Sequence, residues 1–98
     1  MMKAIFISYN QAYYSEIVET IEALGVRGYT QWPGIRGRGS VDGEPHEGSH
    51  AWPTHNDAVL TMVDDDKVDP ILDRMKALDE AAPALGLRCF VWKIEKTY

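Results

Sequence analysis

Apolar and polar residues follow two different periods along this chain, and these periods predict four strands and two helices. Segments rich in apolar and β-favouring residues predict strands at 3–9, 27–33, 57–63 and 88–95. After the first strand, apolar residues recur at helical spacing, at Tyr13, Tyr14, Ile17, Ile21 and Leu24. A second helical stripe follows the third strand and contains Val68, Ile71, Leu72, Met75 and Leu78. The predicted order is therefore β-α-β-loop-β-α-β.

Residues typical of helix ends flank both stripes. Asn10 is a candidate N-cap for the first helix, and Gly25 stands where helices commonly end. The second helix begins either at a cap formed by Asp66 or at Asp69, with Pro70 as its first helical residue. The sequence leaves both starts open.

This element order is that of the ferredoxin-like split arrangement, an α+β fold. Four strands are expected to pair into an antiparallel sheet, with both helices on one face. The chain of 98 residues is expected to form a single domain over 1–98.

Both faces of the predicted sheet are apolar, although the two helices can cover only one. In the first strand, Ile5 and Ile7 point away from Phe6. The other strands divide in the same way: Ala58, Leu60 and Met62 oppose Val59, Thr61 and Val63, and Cys89 and Val91 oppose Phe90, Trp92 and Ile94. A second copy of the chain is the simplest cover for the remaining face. The alternative is that some of these side chains are simply exposed.

Charge and hydropathy exclude several classes of function. The net charge of −5 argues against nucleic-acid binding, which needs a basic face. No apolar run is long enough to enter a membrane, and the first residues do not resemble a signal peptide, so a cytoplasmic location is expected. The single cysteine, Cys89, excludes a disulfide framework and is expected to be a small core residue.

Residues 34–56, after Pro33 ends the second strand, have no regular period and are predicted to form one long loop. The segment holds five of the eight glycines and all three histidines. Long loops in small domains are usually functional or disordered, and the aromatic and histidine content favours function. Trp52 either anchors a partner or packs the loop against the body.

Two groups in this loop are candidate sites. The glycines at its start, with Arg36 and Arg38, can approach and bind an anion, although the signature of a Walker loop is missing. The second group contains ordinary ligands of zinc, nickel and copper(II): His46, Glu47, His50 and His55. The alternatives are a glycine hinge with solvated arginines, and histidines that face water. No enzyme is predicted, because no histidine outside the loop is available to pair with the cysteine.

The chain resembles the PII-like signalling proteins, relatives of nitrogen regulatory protein P-II, over nearly its whole length. The resemblance lies in the element order, in the segment GYTQWPGIRGRGSVDG before the long loop, and in RCFVWKIE as the last strand. It implies a homotrimer with effector sites in clefts between subunits, which classically bind ATP or ADP, sometimes with 2-oxoglutarate. It also implies that the long loop is a T-loop, which reports the ligand to a partner protein.

Two segments differ from the family pattern. The Arg-Gln-Lys run of the T-loop is replaced by Ser40, Val41 and Asp42. The phosphate-binding loop before the last strand is replaced by AAPALGLR, in which only Gly86 and Arg88 can take its place. These differences argue against adenine-nucleotide binding and favour a changed ligand, for which a divalent transition metal is the candidate.

The expected function is a non-enzymatic trimeric regulator that binds a small effector or a metal near its long loop. The predicted effector ligands are Arg36, Gly37, Arg38, Gly39 and Arg88. The loop would relay binding to a partner, such as a membrane transporter or an efflux component. The alternative is a metal chaperone or tolerance protein that uses the loop histidines and needs no partner.

Overall fold

A computed structural model of the chain describes residues 1–37, 55–82 and 86–98. Its strands are β1 Met2–Asn10, β2 Thr30–Ile35, β3 Asn56–Asp64 and β4 Arg88–Lys93. The helices are α1 Tyr14–Ala23 and α2 Asp65–Ala81, and a short 3-10 turn, Gln11–Tyr13, leads into α1. Within the described residues, no helix is long and apolar enough to cross a membrane.

The strands form one sheet in the order β2-β3-β1-β4, and all neighbours are antiparallel. The ferredoxin-like α+β fold is thereby confirmed. β1 lies in the centre, where Asn10 is opposite Asn56 of β3 and Ser8 is opposite Arg88 of β4. The end of β1, the start of β3 and the start of β4 therefore lie at the same end of the sheet.

Both helices pack on the sheet face that carries Ile5 and Ile7, which we call the covered face. The core formed there consists of Ile5, Ile7, Tyr9, Ile17, Ile21, Val26, Val59, Val63, Ile71, Met75 and Leu87. Alternate residues of β1 and β3 belong to this core because side chains of a strand point to opposite faces in turn. The predicted division of β1 and β3 into two apolar sets is confirmed.

The opposite face carries large apolar side chains without a cover from the described chain. We call it the open face, and its residues are Phe6, Trp32, Leu60, Met62, Phe90 and Trp92. Phe90 is 57% exposed, Trp92 49%, Met62 45% and Trp32 43%. Phe6 lies opposite both Leu60 and Phe90, so the apolar side chains form a continuous surface across the strands.

The helix ends agree with the sequence only in part. Asn10 accepts a hydrogen bond from the Ala12 backbone nitrogen at 2.9 Å, and it caps the 3-10 turn that leads into α1. Beyond α1, Gly25 has a φ of 87°, as expected for a glycine that ends a helix. The carbonyl of the preceding residue, Leu24, accepts a hydrogen bond from the Lys67 ammonium at 2.7 Å.

The predicted start of α2 is wrong. The helix begins at Asp65 after Asp64 as N-cap residue, and Pro70 lies inside it rather than at its first position. The earlier start follows from contacts with β1, because the Asp65 backbone nitrogen donates to the Met1 carbonyl at 3.1 Å and the Asp65 carboxylate pairs with Lys3. Negative charge in the first turn is also favourable at a helix N-terminus.

Candidate functional site

The long loop leaves the sheet through β2 and returns through β3. β2 extends past Pro33, so Gly34 and Ile35 belong to a strand, and Asn56 already belongs to β3. Pro33 is tolerated because β2 is an edge strand, where a missing N–H need not break the sheet. We call residues 31–37 and 55–57 the loop stem.

The stem contains an irregular step in β2. Pairing with β3 is regular at Trp32 and resumes at Ile35, and the register shifts between them. Pro33 has no backbone N–H to donate, and Gly34 has a φ of 66°, in the left-handed region that favours glycine. The backbone therefore turns away from the ladder shortly before the loop begins.

The side chain of Asp57 supplies the hydrogen bonds that the ladder lacks at this step. Its Oδ1 accepts from the Gly34 backbone nitrogen at 2.9 Å, and its Oδ2 accepts from Gln31 Nε2 at 3.0 Å. Asp57 is only 5% exposed. A carboxylate of β3 thus holds two points of β2 on either side of the proline.

Tyr9 lies opposite Asp57 in the sheet and belongs to the core. Burial and the nearby charge of Asp57 raise the pKa of the Tyr9 hydroxyl far above its ordinary value. The hydroxyl is buried and has no hydrogen-bond partner among residues 1–37, 55–82 and 86–98. Near it in the same region, the hydroxyls of Tyr14 and Tyr29 are 3.1 Å apart.

Two of the predicted effector residues lie in the stem. Arg36 is exposed, and Gly37 comes so close to β3 that an added Cβ would be 2.7 Å from Asn56 Nδ2. A side chain at Gly37 would therefore displace a buried residue. Arg38 and Gly39 lie outside the described residues, as does Trp52.

Arg88, the remaining predicted effector residue, starts β4 at the same end of the sheet as the stem. Its guanidinium lies 3.4 Å from both carboxylate oxygens of Asp79 and donates to the Leu87 carbonyl at 2.6 Å. The side chains of the ion pair are 40% and 29% exposed, so water screens the attraction. The fold brings Arg88 to the stem end of the sheet, and α2 holds its charged group.

Three of the four predicted metal ligands precede residue 55, at which the described residues resume before β3. His46, Glu47 and His50 lie outside the described residues. His55 is at the stem, where its carbonyl accepts from the Gln11 backbone nitrogen at 3.1 Å. Across the described ranges, no three His, Cys, Asp or Glu side chains are grouped so that they could hold a metal ion.

Cys89 is a half-buried residue next to the core. Burial, together with the nearby charge of Asp79, raises the pKa of its thiol to about 12. The thiol is therefore protonated at neutral pH, whereas a nucleophilic cysteine needs a thiolate.

Sequence reasoning did not identify Asp57 as a stem residue, nor Tyr9 as the residue opposite it in the sheet. One available signal was the alternation in β3, because Asp57 falls in the same set as Val59, Thr61 and Val63. A carboxylate in a buried set must find hydrogen-bond donors. The donors themselves were not visible, because Gly34 and Gln31 are far away in sequence.

Several solved structures are similar to this chain. CPII from Thiomonas intermedia K12, bound to ADP and bicarbonate, is 24% identical with a TM-score of 0.78, over 95% of this chain and 85% of that one. The same protein bound to ADP, AMP and bicarbonate is 23% identical with a TM-score of 0.79, over the same shares. A putative PII-like signalling protein from Thermus thermophilus is 23% identical with a TM-score of 0.66, over 93% of this chain and 84% of that one. No curated protein sequence matches.

The cofactor prediction is wrong in the light of these structures. It set adenine nucleotides aside because local phosphate-binding sequences differ, and it favoured a divalent transition metal. CPII, which has this fold at about a quarter identity, is bound to ADP and AMP. At this level of divergence, a changed local motif is not sufficient ground for excluding adenine nucleotides.

The family model of nitrogen regulatory protein P-II matches residues 2–98. The match includes all four strands, both helices and the long segment between β2 and β3. It confirms the resemblance drawn from the sequence. The chain belongs to the nitrogen regulatory protein P-II family.

Proposed function

We propose that this protein is a trimeric PII-like regulator that binds an adenine nucleotide, together with bicarbonate, at the stem end of its sheet. The loop would then relay occupancy of the site to a partner protein. The observation that carries the proposal is the P-II match over residues 2–98, combined with a register that brings the loop stem and Arg88 to one end of the sheet. The ligands are those in the CPII structures.

The stem end offers groups suited to phosphate and bicarbonate. Arg36 is exposed there, and Gly37 and Arg88 lie at the same end; Arg38 and Gly39 continue the chain beyond the described stem. Arginine presents several donors to an anion, and glycine lets the backbone approach it. Arg88 can be shared with an incoming phosphate, because its pair with Asp79 is partly exposed and therefore weak.

Assembly of copies would cover the open face. Four of its side chains are 43% to 57% exposed, and together they form a continuous apolar surface. Surfaces of this kind mark protein contacts. A trimer is the assembly that the family resemblance implies, and it would place the stem of one copy beside a neighbouring subunit.

The output of such a regulator is a change in partner binding rather than catalysis. A ligand transmits a signal only if it binds two loop states with different affinity. The partner remains a proposal, with a membrane transporter as the candidate class, and a cytoplasmic location remains a prediction. The raised pKa of the Cys89 thiol argues against its use as a nucleophile.

Calorimetry on protein of known mass tests this function. ADP and AMP are titrated with and without bicarbonate, after light scattering has established the oligomer. We expect binding of at least one nucleotide, a change in its affinity with bicarbonate, and about tenfold weaker binding in Arg88→Gln, which corresponds to ~1.4 kcal/mol. Arg74→Gln, an exposed arginine of α2, is the matched control and should bind normally. A trimer that binds neither nucleotide under any of these conditions contradicts the proposal.

A further inference from the structure

The carboxylate of Asp57 is buried, and both of its hydrogen bonds go to β2. The donors are the Gly34 backbone nitrogen at 2.9 Å and Gln31 Nε2 at 3.0 Å. Within the described ranges, no lysine, arginine or histidine forms an ion pair with Asp57. Because an ionised carboxylate is costly to bury, hydrogen bonds to it are strong where they form. The Asp57 carboxylate therefore uses both of its oxygens to hold β2, at Gln31 and at Gly34.

One point, Gln31, precedes the step at which β2 leaves its regular ladder, and the other, Gly34, lies within it. Pairing is regular up to Trp32 and is found again at Ile35, and Pro33 and Gly34 lie between. The φ of 66° at Gly34 turns the backbone, and the bond to Asp57 fixes this turn. Ile35 then pairs with Asn56, and Arg36 and Gly37 follow it at the end of the described stem.

The surroundings of Asp57 make this arrangement stiff. Asp57 lies opposite Tyr9, and the Tyr9 side chain is fully buried. Asp57 also follows Asn56 in β3, and Asn56 is only 2% exposed. On the other strand, Gly37 approaches Asn56 too closely to accept a Cβ without a shift. Both hydrogen bonds are only partly buried, because Gly34 is exposed, but the carboxylate that accepts them is shielded from water. The direction of the loop start is therefore set by groups on both strands.

We infer that Asp57 is a positioning residue, whose carboxylate holds the turn at Gly34 and thereby sets the direction in which Arg36 and Gly37 leave the sheet. The effect on ligand affinity rests on the proposed function, whereas the effect on the stem does not. Asp57 is shielded from solvent and acts through the backbone of β2 rather than by touching the nucleotide. Bulges near functional sites commonly aim residues in this way.

Tryptic cleavage after Arg36 reports the stem directly. In Asp57→Leu both hydrogen bonds are lost, and we expect cleavage there about tenfold faster, because local opening sets the rate. In Asp57→Asn one oxygen still accepts from Gly34, and the Gln31 amide can rotate to accept from the new amide. That conservative variant should be cleaved at a rate within about twofold of the wild type. Cleavage after Arg74, in α2, reports unfolding of the whole domain and should rise less than cleavage after Arg36.

A pair of glycine variants tests the same turn without altering Asp57. A Cβ would meet nothing within 4 Å at Gly34 or at Gly28, and only Gly34 has a positive φ. Gly34→Ala and Gly28→Ala therefore differ mainly in backbone strain. We expect faster cleavage after Arg36 and weaker ADP binding in Gly34→Ala, and neither change in Gly28→Ala. This pair decides the question if Asp57→Leu does not fold.

The outcomes separate the two proposals. Unchanged cleavage after Arg36 in both Asp57→Leu and Gly34→Ala overturns the inference, as does an equal rise after Arg36 and Arg74. Faster cleavage in Asp57→Leu that Asp57→Asn does not show supports it. If the wild-type trimer binds neither ADP nor AMP, the proposed function fails, but the cleavage comparison still decides the role of Asp57. If ADP binds and its affinity is unchanged in Asp57→Leu despite faster cleavage, the link from the stem to the ligand is overturned.

Discussion

The two faces of the sheet are both apolar, yet only one is completed by the chain itself. On the covered face, Ile5, Ile7 and Val59 are fully buried under the helices. On the open face, Phe90 and Trp92 are about half exposed. The difference arises because both helices return across the same side of the sheet. The chain therefore encodes a stable core and, separately, an apolar surface that its described residues leave exposed.

The faces also differ in the kind of apolar residue. The covered face is mainly aliphatic, with Ile5, Ile7, Val59 and Val63 packed against helix residues. The open face is mainly aromatic, with a methionine among its residues, and the rings of Phe6 and Trp32 lie 6.5 Å apart. Aromatic residues and methionine are enriched where proteins meet, so the composition favours a protein cover. Trp32 also lies in the stem, which connects this surface to the loop.

The largest expected effect is loss of assembly in Phe90→Glu. If the open face is a contact between subunits, this change buries an unpaired charge there in every copy. Each such charge costs on the order of several kcal/mol of binding free energy, so we expect the subunits to separate. Light scattering should show the mass of one chain, while circular dichroism stays that of the folded protein. Ala77→Glu is the control, because it adds the same charge at an exposed position of α2. A wild type that is already a monomer, or a variant of unchanged mass, contradicts the assignment of the open face.

On the covered face, Ile7→Ala should instead weaken the fold itself. Ile7 is fully buried in the core, and truncation there typically costs about 2–5 kcal/mol in the free energy of unfolding. Ser8→Ala, one residue further along β1, should change that free energy by less than about 1 kcal/mol. Denaturant unfolding measures the free energy of unfolding of both variants. All samples are kept at one protein concentration, because assembly adds stability that depends on concentration. A loss below about 1 kcal/mol in Ile7→Ala would mean that the covered face is not the main core.

The sequence predicted most of this contrast. Strand alternation separates Ile5 and Ile7 from Phe6, and helical spacing identifies Ile17 and Ile21 as core residues, because both patterns follow directly from backbone geometry. These patterns are local, and they required no knowledge of distant contacts.

The stem could not be predicted in the same way. The extension of β2 past Pro33 depends on the acceptor supplied by Asp57, which is distant in sequence. Likewise, α2 begins at Asp65 because of contacts with Met1 and Lys3 at the other end of the chain. Local rules for proline and caps describe average neighbours, so they fail where a distant residue supplies the hydrogen bond.

A smaller loss of stability is expected when the hydrogen bond between the two helices is removed. Lys67 of α2 donates to the Leu24 carbonyl, just after the end of α1, at 2.7 Å. Because a cation at a helix C-terminus satisfies a free carbonyl, Lys67→Met should cost about 1 kcal/mol in the free energy of unfolding. Lys76→Met, at an exposed position of α2, is the control and should cost little. Equal losses in the two variants would show that the link between the helices does not contribute to stability.

The smallest expected effect is that of Tyr9→Phe, and it tests how dry the covered face is. The Tyr9 hydroxyl is buried and has no partner in the described parts of the chain. Removing a polar group that makes no hydrogen bond avoids its desolvation cost, so the free energy of unfolding should stay within about 0.5 kcal/mol or rise. Tyr14→Phe is the control, since its hydroxyl lies 3.1 Å from that of Tyr29 and its removal should be destabilising. A loss above about 1 kcal/mol in Tyr9→Phe would mean that water or another group binds the hydroxyl, and the core beneath the stem would then be wet.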